Sequence, residues 1–422
     1  MTDFRTAAQP FAAAFFDDIR RESRDGPGVS RQGYGPHEEY VHEKARTLAR
    51  ELGMEIDTDP AGNLWLTRPG RDRTLPAFVS GSHGDSVPQG GNYDGLAGVC
   101  AALTVAWMLE KENVQLERDY RVLIFRMEES SWFGRAYVGS LALTGSLLPR
   151  ELELRHRTDG RTLAETVAAC GFDPQVMAGG RPLRDLSKIA AFVELHIEQG
   201  PRLDASPDRR TAVVTGIRGN LRHKICRVVG ETAHSGAVDR EFRHDAVMAL
   251  AELLNTMDRH WKAWLDRGED LVFTAGVVNT LPTAAIAIIP GEVSFGLDMR
   301  SLSMETIRAF HALMVEEAER IGAERGVRFE WDDVLVCEAS GVDPAVRAAL
   351  ESAAGRHGIP VQTMPSGAGH DAAVLSNAGV PVGMIFVANQ NGSHNAREAM
   401  DIGDFMAGCE LLWHTVCDFD LR

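Results

Sequence analysis

The chain has 422 residues, 44% of them apolar, enough for more than one core, so two domains are expected. Acidic residues number 60 against 44 basic ones, a net charge of −16, which repels phosphate backbones and disfavours nucleic-acid binding. No uncharged stretch is long enough to cross a bilayer, and the apolar run at 11–16 stops at Asp17-Asp18 without a cleavage site, so neither a membrane span nor a secretory leader is expected.

The six cysteines, Cys100, Cys170, Cys226, Cys337, Cys409 and Cys417, form no C-x-x-C pair. They read as reduced thiols of a cytoplasmic protein, not as a disulfide framework or a thiolate zinc site.

In chain order, 38–52 carries apolar residues at helical spacing, with Gly53 as its stop. A buried strand is predicted over 75–81, a buried helix over 95–111, and strands over 120–127 and 189–195. This alternation predicts an α/β domain with a mixed sheet covered by helices on both faces. The polar run 206–210 reads as a linker, and the rhythm then changes. Strands are expected over 211–216, 224–230, 271–278, 292–298 and 327–336, with helices over 245–259 and from the Ser303 cap to about 325. Asp343-Pro344 then caps a helix to about 357, and 381–388 is a further apolar strand. The expected organisation is one α/β domain, 1–212 and 331–422, interrupted by an inserted α+β domain at 213–330.

Ligands of open α/β sheets bind beyond the carboxyl ends of the strands. Here those ends carry His83 with Asp85, Glu128-Glu129, His196, and a loop reaching His394, while Asp94 follows on a glycine-rich loop. Imidazole and carboxylate are ordinary zinc ligands, and two adjacent cations need an anion between them, a role assigned to Asp94. Asp85 can accept the remote ring N–H of His83. Glu129 would bind metal while Glu128 takes a proton from the bridging water and passes it to the leaving nitrogen. A strand-end histidine, a Glu-Glu pair or an Asp before a glycine is ordinary alone; five such residues at corresponding strand ends are hard to obtain by accident.

The segments 81–95 (GSHGDSVPQGGNYDG), Glu128-Glu129, 195–200 (LHIEQG) and 366–372 (SGAGHDA) resemble the M20 metallopeptidase superfamily, in its hydantoinase/carbamoylase amidase branch. The resemblance covers almost the whole chain. It implies a zinc-peptidase-like catalytic domain whose inserted domain is a lid and homodimer interface. It also implies two divalent ions, zinc first, with manganese, cobalt or nickel as alternatives. His83 and His196 would hold one ion, Glu129 and His394 the other, and Asp94 both. His196 favours the amidase branch, because peptidase relatives usually carry a carboxylate there. Glu128 would be the general base. His234 matches a lid histidine that reaches the partner subunit's active site and stabilises the oxyanion there, and Arg300 a lid arginine that holds a substrate carboxylate. Without the resemblance, His234 is a strand-end surface residue and Arg300 a salt-bridge partner of Asp298. Gln199 matches a substrate-contacting position or is structural; His370 contacts substrate or merely sits in a tight turn.

Three departures point to a substrate other than allantoate or the simplest carbamoyl amino acids. Ala287 stands where the amidase branch usually places a substrate-binding Asn, 235–240 (SGAVDR) differs from the usual Ala-Gly-Thr-Thr-Pro-Met, and Gly84 replaces a larger residue. Asn220, with Arg218, Arg222 and His223, forms a polar stretch that either compensates for the missing Asn or is a solvated face. The expected reaction is hydrolysis of an N-carbamoyl or N-acyl amino-acid-like anion by attack of a metal-bridging hydroxide. A dipeptidase or aminoacylase is the alternative, and a non-catalytic metal-binding protein is less favoured.

Overall fold

The computed structural model describes residues 4–419. The chain forms two compact units, Met1–Thr215 with Gly341–Arg422, and Gly216–Ser340.

The first unit is built on a nine-stranded mixed sheet. From one edge it runs Glu55–Thr58, Leu64–Arg68, Tyr120–Phe125, Ala77–His83, Ile189–Ile197, Val382–Val387 and Thr211–Ile217, with the short strands Ser340–Gly341 and Val361–Ser366 both paired to the last. The four strands from Tyr120–Phe125 to Val382–Val387 pair in parallel, so their carboxyl ends share one edge. Ala77–His83 is buried along its whole length, as central parallel strands are. Ala191, Val193, Leu195 and Ile197 enter the main core; the strand period of two turns Glu194 and His196 to the opposite face.

Two helices absent from the sequence reading complete this core. Phe4–Glu22 buries Phe4, Ala8, Ala12, Phe15, Phe16 and Ile19, a helical stripe in a segment read only as no leader peptide. Ile402–Asp418 starts at the Asp401 cap and stacks Trp413 on Phe4 with ring centroids 5.6 Å apart. The expected helices lie at Pro36–Glu51, Leu96–Lys111 and Pro344–His357. Among the described residues no helix is long and apolar enough to cross a membrane.

The second unit is an antiparallel sheet in the order Val272–Thr280, Glu292–Ser301, Gly219–Val229, Arg328–Glu330, with the helices Ala246–Asp266 and Met304–Arg325. Asp245 and Ser303 cap those helices through their side chains. The single strand expected over 327–336 is two, Arg328–Glu330 and Leu335–Cys337, both paired with Gly219–Val229 and parted by a loop containing Asp332. That pairing keeps 331–340 with the second unit, ten residues beyond the expected exit.

Candidate metal centre

His83 is the last residue of its strand, and His196 the penultimate residue of the neighbouring one. Glu128 and Glu129 follow Tyr120–Phe125, and His394 lies in the loop after Val382–Val387. Asp94 sits among the three imidazoles. Its Oδ1 is 3.2 Å from His196 Nε2 and 3.6 Å from His83 Nε2. Its Oδ2 is 3.4 Å from His394 Nε2, which is also 3.4 Å from Glu129 Oε1. The donors therefore form two groups sharing Asp94, one with His83 and His196, the other with Glu129 and His394. Glu128 Oε2 lies 3.9 Å from His83 Nε2.

The donor set fits cations. His196 Nδ1 lies 2.9 Å from the Ile197 carbonyl and His83 Nδ1 3.2 Å from Asp85 Oδ1, so each ring when neutral donates there; the His83 Nε2 lone pair then faces Asp94, and that of His196 faces Asp94 and the Gly95 backbone N–H, 3.2 Å away. Glu129 Oε1 is buried without a hydrogen bond. Lone pairs facing carboxylate oxygens in a buried site are stable only with positive charge between them.

Charge crowding shifts the groups. Burial, then the charges of Glu129, Asp371 and Asp85, pushes Glu128 well above the usual carboxylate range despite His83. Burial and Asp94 bring Glu129 to about 7. Burial would lower His83, but Glu128 and then its bonds to Asp85 and Asp94 raise it well above the ordinary imidazole value. The bond to Asp94 raises His394 to about 9.

Asp85 ties the halves together. It is fully buried, its Oδ1 accepts from the backbone N–H of Glu128 (3.0 Å), and its Oδ2 accepts from that of Glu129 (3.1 Å). Gly95 is required: its φ is +65°, and a Cβ there would lie 2.2 Å from His83 Cε1. Met127, Gln199 and His394 also hold positive φ, so backbone strain gathers at this edge.

Several supporting residues were not legible in the sequence. Glu398 accepts from the backbone N–H of Tyr93 (2.8 Å) and from the Ser393 hydroxyl (2.6 Å), fixing the Asp94 loop. Ser393 Oγ is also 2.6 Å from Asp94 Oδ2. Buried Arg31 donates to the Gly84 carbonyl (2.9 Å) and to Asn92 Oδ1 (3.1 Å), and burial lowers it to about 10. Adjacency to His394 is the only signal for Ser393; Glu398 and Arg31 lie in stretches without periodicity.

Gln199 donates through Nε2 to Asp94 Oδ2 at 2.8 Å. His370 is 2% exposed, bonded to Ser366 Oγ at 2.9 Å and packed on the His196 ring at 4.5 Å. His234, Arg300 and Asn220 belong to the second unit. His234 is exposed, and its Nδ1 accepts the Gly236 backbone N–H at 3.1 Å, which places the proton of the neutral ring on Nε2. Arg300 Nη2 pairs with Asp298 Oδ2 at 2.7 Å, and Asn220 is its cross-strand neighbour.

The profile of peptidase family M20/M25/M40 matches residues 79–418. An N-carbamoyl-L-amino acid amidohydrolase of Geobacillus stearothermophilus is 33% identical over 92% of this chain and 93% of its own. The allantoate amidohydrolase of Escherichia coli is 29% identical over 98% of this chain and 97% of its own. A crystal structure of a hydantoinase/carbamoylase family amidase from Burkholderia multivorans superposes with a TM-score of 0.88 at 29% identity, covering 97% of both chains. The chain therefore belongs to peptidase family M20/M25/M40 and, within it, to the metal-dependent amidohydrolases of the hydantoinase/carbamoylase type, which act on carbon–nitrogen bonds outside peptides.

Proposed function

We propose that the chain hydrolyses the C–N bond of a small N-carbamoyl, ureido or N-acyl amino-acid-like carboxylate. The observation that carries this reading is the pair of donor groups sharing Asp94 with Glu128 beside them. His83, His196 and Asp94 would hold one divalent ion, and Asp94, Glu129 and His394 the other, zinc first, with manganese, cobalt or nickel as alternatives. When bound, such a pair supplies Lewis acidity and an activated water.

The remaining work falls to side chains. Glu128 takes the proton of the attacking water and delivers it to the departing nitrogen; its raised pKa suits the donating half of that task. His234 Nε2–H would donate, in the active site of the partner subunit, to the carbonyl oxygen as it gains charge. Arg300 holds the carboxylate in exchange for part of its bond to Asp298. Gln199 holds Asp94 in place, and His370 backs His196. Asn220 borders the Arg300 clamp.

Ala287 sharpens the substrate class. Its carbonyl accepts the Ser235 N–H at 3.0 Å, beside His234. A methyl group there offers no hydrogen bond, which favours substrates with fewer polar groups than allantoate. The second unit would act as the lid and homodimer interface, and the enzyme would work in the cytoplasm.

The test is a screen of N-carbamoyl, N-formyl and N-acyl amino acids, allantoate and dipeptides with zinc- or manganese-loaded protein. Turnover of carbamoyl or acyl amino acids is expected; turnover of dipeptides alone would overturn the reading.

A further inference from the structure

The strand Gly219–Val229 pairs with Glu292–Ser301 through a bulge opposite Phe295 and Leu297. At that irregularity His223 and Cys226, both buried, approach one carboxylate oxygen. Asp332 Oδ1 is 2.7 Å from His223 Nδ1 and 3.5 Å from Cys226 Sγ. The other oxygen, Oδ2, accepts the backbone N–H groups of Lys224 (2.9 Å) and Ile225 (3.0 Å). The remote nitrogen of His223, Nε2, is 2.9 Å from Nε2 of His311 on Met304–Arg325.

We propose that His223 Nδ1, Cys226 Sγ and Asp332 Oδ1 form a further divalent-metal site, within the second unit, that takes a borderline-soft cation of the zinc type.

Four observations carry it. The three donor atoms lie within 4.8 Å of one another, the span of ligands around a single ion. Their chemistry selects: thiolate and imidazole suit zinc and cobalt and are poor ligands for magnesium or calcium. Charge closes as well, since one thiolate and one carboxylate neutralise a divalent ion in a largely buried position. The surroundings also orient the donors as a metal site requires. With Nδ1 on a cation, the His223 proton sits on Nε2 and is donated to His311, while the backbone bonds to Oδ2 leave Oδ1 for the ion.

A carboxylate that only capped the bulge would need Oδ2 alone; nothing in that role brings an imidazole and a thiol together on Oδ1. Burial holds the Cys226 thiol up at about 12, so a cation must displace its proton. Such an ion would pin the loop between Arg328–Glu330 and Leu335–Cys337 onto the bulge. In sequence the spacing is H-x-x-C with the carboxylate 109 residues beyond the histidine, so C-x-x-C pairs give no sign of it.

The donors of the first-unit centre are only nitrogen and oxygen, so sulfur ligation is diagnostic. Chelated full-length protein is titrated with cobalt. The expected result is a thiolate-to-cobalt charge-transfer band in the near ultraviolet, retained in Asp94→Ala and lost in Cys226→Ser. Zinc-loaded Asp94→Ala should show a sulfur scatterer at about 2.3 Å by X-ray absorption, a measurement that decides even if Cys226→Ser does not fold. Absence of the band and the scatterer, or their persistence in folded Cys226→Ser, overturns the proposal.

Discussion

Replacing Asp85 by Asn tests the scaffold of the centre without touching a donor atom facing Asp94. Asp85 is fully buried and holds three partners: the Glu128 and Glu129 backbone N–H groups and the His83 ring. An amide has the same shape but one acceptor oxygen. If that oxygen replaces Oδ1, the NH₂ group faces the Glu129 N–H; if it replaces Oδ2, the NH₂ faces both Glu128 N–H and His83 Nδ1–H. Either way at least one bond to a charged acceptor becomes a donor–donor contact. Losing such a bond costs about 1.5–3 kcal/mol, which is roughly 10–150-fold in a binding constant. Metal affinity should fall by that factor, measured by competition with a chromophoric chelator, while turnover at saturating metal falls less. Affinity within about twofold of the parent, on the scale where tenfold is 1.4 kcal/mol, would refute the role given to Asp85.

Glu128→Gln should keep both metals and the fold but lose about 10²–10⁴-fold in kcat, the range for a positioned acid–base group; metal analysis and steady-state rates decide. Ala287→Asn, beside His234, should raise kcat/KM for allantoate relative to a plain N-carbamoyl amino acid, and an unchanged ratio would remove this position from substrate choice. Gly95→Ala forces a Cβ to 2.2 Å from the His83 ring at a φ of +65°, so metal binding should drop sharply in titration calorimetry while the circular dichroism of the fold persists. Chelation should lower the melting temperature, because a ligand present at a hundred times its Kd contributes about 2.7 kcal/mol per site.

The parts of this site that lie on regular elements were legible in the sequence. Strand alternation and the short apolar runs placed His83, Glu128, Glu129 and His196 at one sheet edge, and parallel pairing puts them there. What was not legible depends on contacts between distant segments. Glu398 holds Asp94 from 304 residues away, and Arg31 reaches Asn92 across 61 residues, in loops whose composition carries no period. The helix Phe4–Glu22 was missed for another reason: its apolar stripe is interrupted by Pro10, and the stripe alone does not say what covers it. The division of 327–336 into two strands turns on one polar side chain, Asp332, whose acceptors suit bulge N–H groups that no sequence pattern announces.

The charge of the site argues for two ions over one. Asp85, Asp94, Glu128 and Glu129 are all buried, and burial with the neighbouring negative charges pushes Glu128 and Glu129 above the usual carboxylate range. Glu398 is set against Arg31, the nearby buried guanidinium whose charge it supports most. With neutral histidines, Asp85, Asp94, Glu128 and Glu129 together carry as much negative charge as two divalent cations carry positive charge. One cation would leave an excess that must be quenched by protons, on Glu128, on Glu129 or on His394, and each removes a function: the base in the first case, a ligand of the second ion in the others. Activity should therefore follow the second equivalent of metal rather than the first.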